Sequence, residues 1–295
     1  MMYAEQKSRM ITAIELECCI YSALLGEVYT TPKPGLVDCH DTGAHQDMDV
    51  HTFERSAEAI TPYISRMFYR GYHWIGKEER LFEEIRKIGI QAEHAMYDST
   101  DGVNTHKGLI FTMGILAAAA GNCYQKEHCF EAGRILKKAA SMTAGPLEEE
   151  FQRMGEHEPI THGEILFREY GEKGIRGEAQ KGFPIIGKTA LPVLRSTRMM
   201  GMDTNRSNIQ VLLAIMSELN DTNVWSRGSY HEMQWLKEQA AEICRQGGVF
   251  LEAGIRKIEE LNELCIRKNL SPGGAADILA ASLFLYYLEN LMQEE

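Results

Sequence analysis

Apolar residues recur at three- and four-residue steps along most of the chain. Ile11, Ile14, Cys18, Tyr21, Leu25 and Val28 form one such stripe, and Leu81, Ile85, Ile88, Ala92 and Ala95 form another. At 3.6 residues per turn these positions fall on one face, which predicts two amphipathic helices. Similar stripes cover 53–68, 128–143, 187–200, 206–219, 230–245 and 249–267. No alternation of apolar and polar residues bounded by hairpin turns argues for strands, so the predicted fold class is all-α. Two segments, 107–121 and 275–288, are apolar around most of their circumference and are expected to be central helices covered by the others. No low-complexity linker or internal repeat divides the chain, and one all-α domain over residues 1–295 is expected.

Between the stripes, polar residues gather with Gly and Pro in five places. These are 30–49, "DSTDGVNTHKG" at 98–108, "YGEKGIRGEAQKGFP" at 170–184, "NDTNVWSRGS" at 220–229 and "NLSPGGAAD" at 269–277. Each is expected at a helix end. Helix N-termini offer free N–H groups and a positive dipole end, and glycines such as Gly273 and Gly274 let a ligand approach the backbone. Ser271 can cap the last helix, and Pro272 suits its first turn. Lys33, Lys107, Arg176 and Arg227 each bring a positive charge to one of these segments. The pattern predicts a site for an anionic ligand assembled from several loops.

The stretch "TPKPGLVDCHDTGAHQDMD" holds Asp38, Asp41, Asp47 and Asp49 within twelve positions. Carboxylates brought together repel unless a cation or a proton relieves them, and hard oxygen ligands favour Mg²⁺. Solvated loop charges and helix caps are the competing account. His45 precedes Asp47 by two residues, which suits a general base, a metal ligand or a structural imidazole. His40 and His51 read as structural, whereas His45 and His106 lie inside dense polar motifs. Asn104, Thr105 and Lys107 open the buried helix at 107–121, as caps, as ligand contacts, or as both. Arg176 and Glu178 suit a phosphate or a sugar hydroxyl, or simply a surface ion pair. Asp277 sits in the first turn of the last helix, where the dipole favours an acid in any case.

Bulk properties narrow the class. The 295 residues are 44% hydrophobic and 25% charged, an ordinary globular composition, and the net charge of −11 argues against nucleic acid or an anionic membrane as partner. The seven cysteines form no CxxC pair, which fits a reducing cytoplasm better than a disulfide framework. "MMYAEQKSRM" lacks an apolar signal core, and the longest apolar run, 109–121, is short of the ~20 residues that span a bilayer. Neither GxxxxGK[ST], GxGxxG after a strand, nor GxSxG occurs. His40-Asp41 is similar to the metal-binding dipeptide of helical phosphohydrolases, but no histidine precedes it to complete that site.

Four motifs in order, "TPKPGLVDCHDTGAHQDMD", "DGVNTHKGLIFTMGILAAAAG", "YGEKGIRGEAQKGFP" and "LSPGGAADILAASLFL", closely resemble the triphosphoribosyl-dephospho-CoA synthases. The resemblance runs from about residue 20 to about residue 288. It implies that the 2′-hydroxyl of 3′-dephospho-CoA attacks ribose C1′ of ATP, expelling adenine and keeping the triphosphate. The product would be the precursor of the acyl-carrier prosthetic group of citrate lyase or malonate decarboxylase, passed on to a carrier-protein transferase. Under this resemblance Asp38, Asp47 and Asp49 serve metal and sugar chemistry, with Asp41 beside them and His45 as base. Lys33, Lys107 and Arg176 hold phosphate with Mg²⁺, Asn104 and Glu178 meet sugar hydroxyls, and Thr105, His106, Arg227, Ser271, Gly273, Gly274 and Asp277 complete the substrate contacts. Ala275 and Ser229 depart from the family pattern, which often has serine and glycine there. A non-catalytic carrier of a CoA-like nucleotide and a helical metal-dependent phosphohydrolase are the alternatives, and monomer and homo-oligomer both stay open.

Overall fold

The computed structural model describes residues 11–154, 159 and 161–291. The N-terminal stretch read for a signal core therefore lies outside the described residues. Helices follow one another in the order α1 (Ala13–Val28), α2 (Val50–Tyr72), α3 (Glu78–Ser99), α4 (Lys107–Glu127), α5 (Ala132–Met154), α6 (His162–Tyr170) and α7 (Gly174–Gln180). A π-type turn at Ile186–Ala190 leads into α8 (Leu191–Met199), then α9 (Thr204–Glu218), α10 (Thr222–Arg227), α11 (Tyr230–Arg245), α12 (Glu252–Lys268) and α13 (Gly273–Leu291). Among the described residues there is no strand, as the apolar periodicity predicts.

Each predicted stripe overlaps helical structure, although Ile11 precedes α1 and residues 128–131 lie in the connection before α5. Three short helices, α6, α7 and α10, stand inside or beside segments predicted only as polar connections. They hold nine, seven and six residues, too few for a periodic stripe to show, and such short helices depend on their neighbours. Gly177 and Ala179 of α7 are buried where α7 packs on α5.

The two segments expected at the centre are there. In α4 an unbroken run from Thr112 to Tyr124 is buried, and α2, α3, α5 and α13 surround it. In α13 the run from Ile278 to Leu285 is buried, between α1, α4 and α9. Helix α2 lies unusually close to α4. A Cβ added to Gly71 would stand 1.9 Å from the Ala118 carbonyl oxygen, so only glycine permits that approach. The consequence for function is that the N-terminal ends of α4 and α13, 166 positions apart as counted from Lys107 to Gly273, open toward the same space.

Candidate active site

The loop joining α1 to α2 is built by its own aspartates. Asp38 Oδ2 accepts from the Lys33 backbone N–H at 2.9 Å, and Oδ1 accepts from those of His40 at 2.7 Å and Asp41 at 3.2 Å. Asp41 accepts from the Gly43 N–H at 2.7 Å and from Asn262 at 3.0 Å. Asp49 caps α2, taking the Thr52 N–H at 2.8 Å, and that bond holds its carboxyl below the usual range. The expectation that four aspartates converge on one cation is thereby corrected. Carboxylates in Asx turns satisfy backbone donors that a tight loop leaves unpaired. Among the described residues no three His, Cys, Asp or Glu side chains cluster as a metal-binding group. Asp47 alone of the four lines the cavity described next.

This cavity, of about 320 Å³, is enclosed by the 33–48 loop, the start of α4 and the start of α13. At its inner end Lys33, only 1% exposed, donates to the Glu27 carboxylate and, at 2.9 Å, to the Glu27 carbonyl. Beside this pair stands His106, 2% exposed, whose Nδ1 lies 2.6 Å from Ser56 Oγ and whose Nε2 has no partner. Burial, with the Lys33 charge adding to it, lowers the pKa of His106 to about 3, so the ring is neutral. Phe53 meets it edge-on with centroids 5.0 Å apart and fixes its plane. Asp277 completes this end. Burial pushes its pKa well above the usual value, and the nearby Glu27 and Asp221 carboxylates push the same way. Gly108 makes room for it, since a Cβ there would stand 2.2 Å from Asp277 Oδ2.

The outer wall is polar in a different way. His45 Nε2 lies 2.9 Å from Ser271 Oγ, and Arg227 donates to His45 Nδ1 at 3.2 Å. A guanidinium only donates, so Nδ1 accepts and the imidazole proton sits on Nε2, facing Ser271. The serine hydroxyl then accepts from His45, leaving its own hydrogen for a ligand. Burial, then the Arg227 charge, lower the His45 pKa below 6.5, while Asp47, 3.7 Å away, partly opposes them. Ser271 is not the cap of α13 that its position predicts. That task falls to Asp221, a buried carboxylate accepting from Ala275 N–H at 2.9 Å and from Asn223 N–H at 2.9 Å, which ties the starts of α10 and α13 together. Asn104 accepts from the Lys107 N–H at 3.3 Å just before α4, whose N-cap position is held by His106, while Thr105 donates to Ser56 at 2.6 Å.

The cavity thus gathers Lys33, His45, Asp47, Asn104, Thr105, His106, Lys107, Arg227, Ser271, Gly273 and Asp277 from four of the predicted motifs. Gly274 sits behind it against Asp221. Asp38, Asp41 and Asp49 shape its loop without lining it. Glu178 lies elsewhere, accepting from Ile185 N–H at 3.1 Å, with its carboxyl raised by burial. Arg176, 3.8 Å from Glu150, lines a neighbouring cavity. Lys107 is 3.1 Å from Glu93. Four participants escape the sequence reading: Glu27, Ser56, Asp221 and Asn223. Glu27 had a signal, a charge on the apolar face formed by Ile20, Ala23 and Leu24. Asp221 carries the mark of an N-cap, a short acidic residue before a helix. His40 is exposed and Asp41 is engaged with backbone, so the phosphohydrolase dipeptide assembles no metal group.

Comparison with known proteins agrees with the motifs. The profile of the CitG family, described as ATP:dephospho-CoA triphosphoribosyl transferase, matches residues 13–295. The 2-(5''-triphosphoribosyl)-3'-dephosphocoenzyme-A synthase of Klebsiella pneumoniae is 37% identical over 283 residues, covering 95% of this chain and 93% of that protein. A probable synthase of the same name from Salmonella typhimurium is 38% identical over 278 residues, 93% of this chain and 91% of that protein. One from Vibrio cholerae is 37% identical over 274 residues, 92% and 88% of the two chains. No solved structure matches the chain. With a profile match over nearly the whole length and relatives of this identity, the chain belongs to the CitG family of ATP:dephospho-CoA triphosphoribosyl transferases.

Proposed function

We propose that the protein moves the triphosphoribosyl group of ATP onto the 2′-hydroxyl of 3′-dephospho-CoA, with release of adenine. One observation carries this reading beyond the family name. A half-buried carboxylate, Asp277, shares a cavity with the unpartnered Nε2 of a neutral imidazole, His106, at the N-terminal ends of two long helices. Those are the parts that a glycosyl transfer with a triphosphate handle requires.

The roles follow from what each group is free to do. No hydrogen bond or ion pair joins the Asp277 carboxyl group to another described residue, and burial strengthens its hold on a proton, as a general base requires. It takes the proton as the acceptor oxygen forms its bond to C1′. The C1′–N9 bond breaks in the same displacement. Because adenine needs one proton on N9, the proton held by Asp277 balances the reaction. His45 suits the base role less well, since Arg227 and Ser271 engage both of its nitrogens. With Thr105 donating to Ser56, the Ser56 hydrogen goes to Nδ1 of His106 and leaves the imidazole proton on Nε2, where it steadies charge on the departing base.

Arg227, the Ser271 hydroxyl and the positive dipole end of α13 hold the triphosphate. Lys33 serves less directly, because Glu27 already balances its charge. Mg²⁺ fits as a partner of the triphosphate, since such an ion needs only one or two protein carboxylates. Asp47, on the cavity wall with its side chain 64% exposed, is the residue to hold it. When bound, the ion neutralises phosphate charge. The product is passed to a carrier-protein transferase for citrate lyase or malonate decarboxylase. Incubation with ATP, Mg²⁺ and dephospho-CoA is expected to release adenine in step with the triphosphoribosylated product. Saturable binding of both nucleotides without adenine release would instead support a carrier.

A further inference from the structure

A second cavity, of about 460 Å³, opens beside the polar one. The two share Asn104, Lys107, Gly108 and Asn223, so they are arms of one cleft bent around the start of α4. The chemistry changes at the bend. The first arm holds the carboxylates and imidazoles already described. The second is walled mainly by Met67, Phe82, Ile85, Ile90, Ile110 and Phe111, from α2, α3 and α4, with Arg86, Glu93 and Arg176 also on its lining. Bond making at C1′ has no use for an apolar slot of this size. Ile90 is nevertheless left 57% exposed on it.

We propose that the apolar arm is the binding site for the pantetheine chain of the hydroxyl acceptor, with its diphosphate at the bend. This rests on the function proposed above. The order of groups is what assigns the occupant. The acceptor presents, in sequence, a ribose hydroxyl, a diphosphate, and a long chain bearing geminal methyls and ending in a thiol. The cleft presents, in the same sequence, the Asp277 carboxylate, a helix N-terminus with Lys107, and an apolar slot. Lys107 now faces Glu93 at 3.1 Å, a solvent-exposed pair, so a phosphate there exchanges one anionic partner for another. Adenine fits the arm less well. Its ring nitrogens seek hydrogen-bond partners on all sides, and Phe82 and Phe111, the two aromatic rings of the arm, meet edge to face at 80° without forming a parallel slot.

The test is Ile90→Asp, at a site exposed enough to leave folding intact. Placing a carboxylate in the arm is expected to raise KM for dephospho-CoA about tenfold or more, the worth of one apolar side chain, and to hold KM for ATP within about twofold. ADP, which retains the ribose hydroxyl and diphosphate but lacks the chain, should show the same kcat/KM as acceptor with both proteins. An unchanged KM for dephospho-CoA, or an equal loss with ADP, overturns the assignment. Ile90→Trp, which narrows the arm without adding charge, is expected to act in the same direction. Calorimetric titration with 4′-phosphopantetheine reads the arm without turnover. Binding to the unaltered protein, weakened in both variants, supports the site even where no adenine is released, an outcome that sinks the catalytic reading alone. Absence of that binding overturns the arm even where adenine release is robust.

Discussion

Asp277 is where burial becomes chemistry. It stands in the first turn of α13, a position that favours an acid for electrostatic reasons alone, yet its carboxylate turns into the cavity without a partner. If it receives the acceptor proton, Asp277→Asn should lower kcat for adenine release by at least ~10²-fold with little change in KM for ATP. An unchanged kcat would remove it from the reaction. His106 makes a prediction of another kind. Its pKa falls from 6.5 in the unfolded chain to about 3 in the folded one, so between those values the unfolded state binds the extra proton. Stability from this group is complete above 6.5 and is lost as pH falls toward 3. Asp277 and Asp221 have raised values and change stability in the opposite sense, so only a difference isolates the imidazole. Relative to His106→Gln, the native protein should lose about 2 kcal/mol between about pH 7 and about pH 5, measured by denaturant unfolding. Equal losses in the two proteins would show the ring to be titrating freely.

At the scale of elements, the α2–α4 contact carries the cavity, because α2 holds Ser56 and Phe53 against His106 of the α4 start. Gly71 sets that spacing. Gly71→Ala puts a methyl group 1.9 Å from the Ala118 oxygen, and the helices must part. The expected cost is about 1–3 kcal/mol in unfolding free energy, together with a lower rate of adenine release from a displaced His106. A variant of native stability would mean that the helices slide past the added methyl without strain. Helix identity was legible for a related reason: long stripes such as Leu81, Ile85 and Ile88 report one buried face wherever the neighbours lie. α7 and α10 were not legible, since one or two turns hold too few positions for a period. Their helical state comes from α5 and from the Asp221 cap.

For the whole molecule, the relevant fact is that three chain-distant segments close on one cleft. A ligand touching the 33–48 loop, α4 and α13 together binds the folded state alone, and such binding adds about 2.7 kcal/mol at a hundredfold excess over Kd. ATP with Mg²⁺ should therefore raise Tm by several degrees. Asp47→Asn should shift the Mg²⁺ concentration needed for that rise upward, by about tenfold, while leaving the Tm of the free protein close to native. An identical Mg²⁺ requirement would separate Asp47 from the ion. Among the described residues no helix is long and apolar enough to cross a membrane.

The order and nature of the elements came from the sequence because apolar periodicity is local: it depends on which side of its own axis a helix buries. The motif positions were likewise local, and they carried the family resemblance that the comparisons establish. What each motif residue does was decided by tertiary structure. Asp38, Asp41, Asp47 and Asp49 look alike along the chain, and only the folded loop separates three that serve backbone N–H groups from one that faces the cavity. Nor could any spacing show Glu27 meeting Lys33, Ser56 meeting His106, or Asp221 capping a helix that begins 52 positions later at Gly273. A carboxylate or imidazole takes its chemistry from the solvent it loses and the partners it meets, and both are properties of the packed molecule.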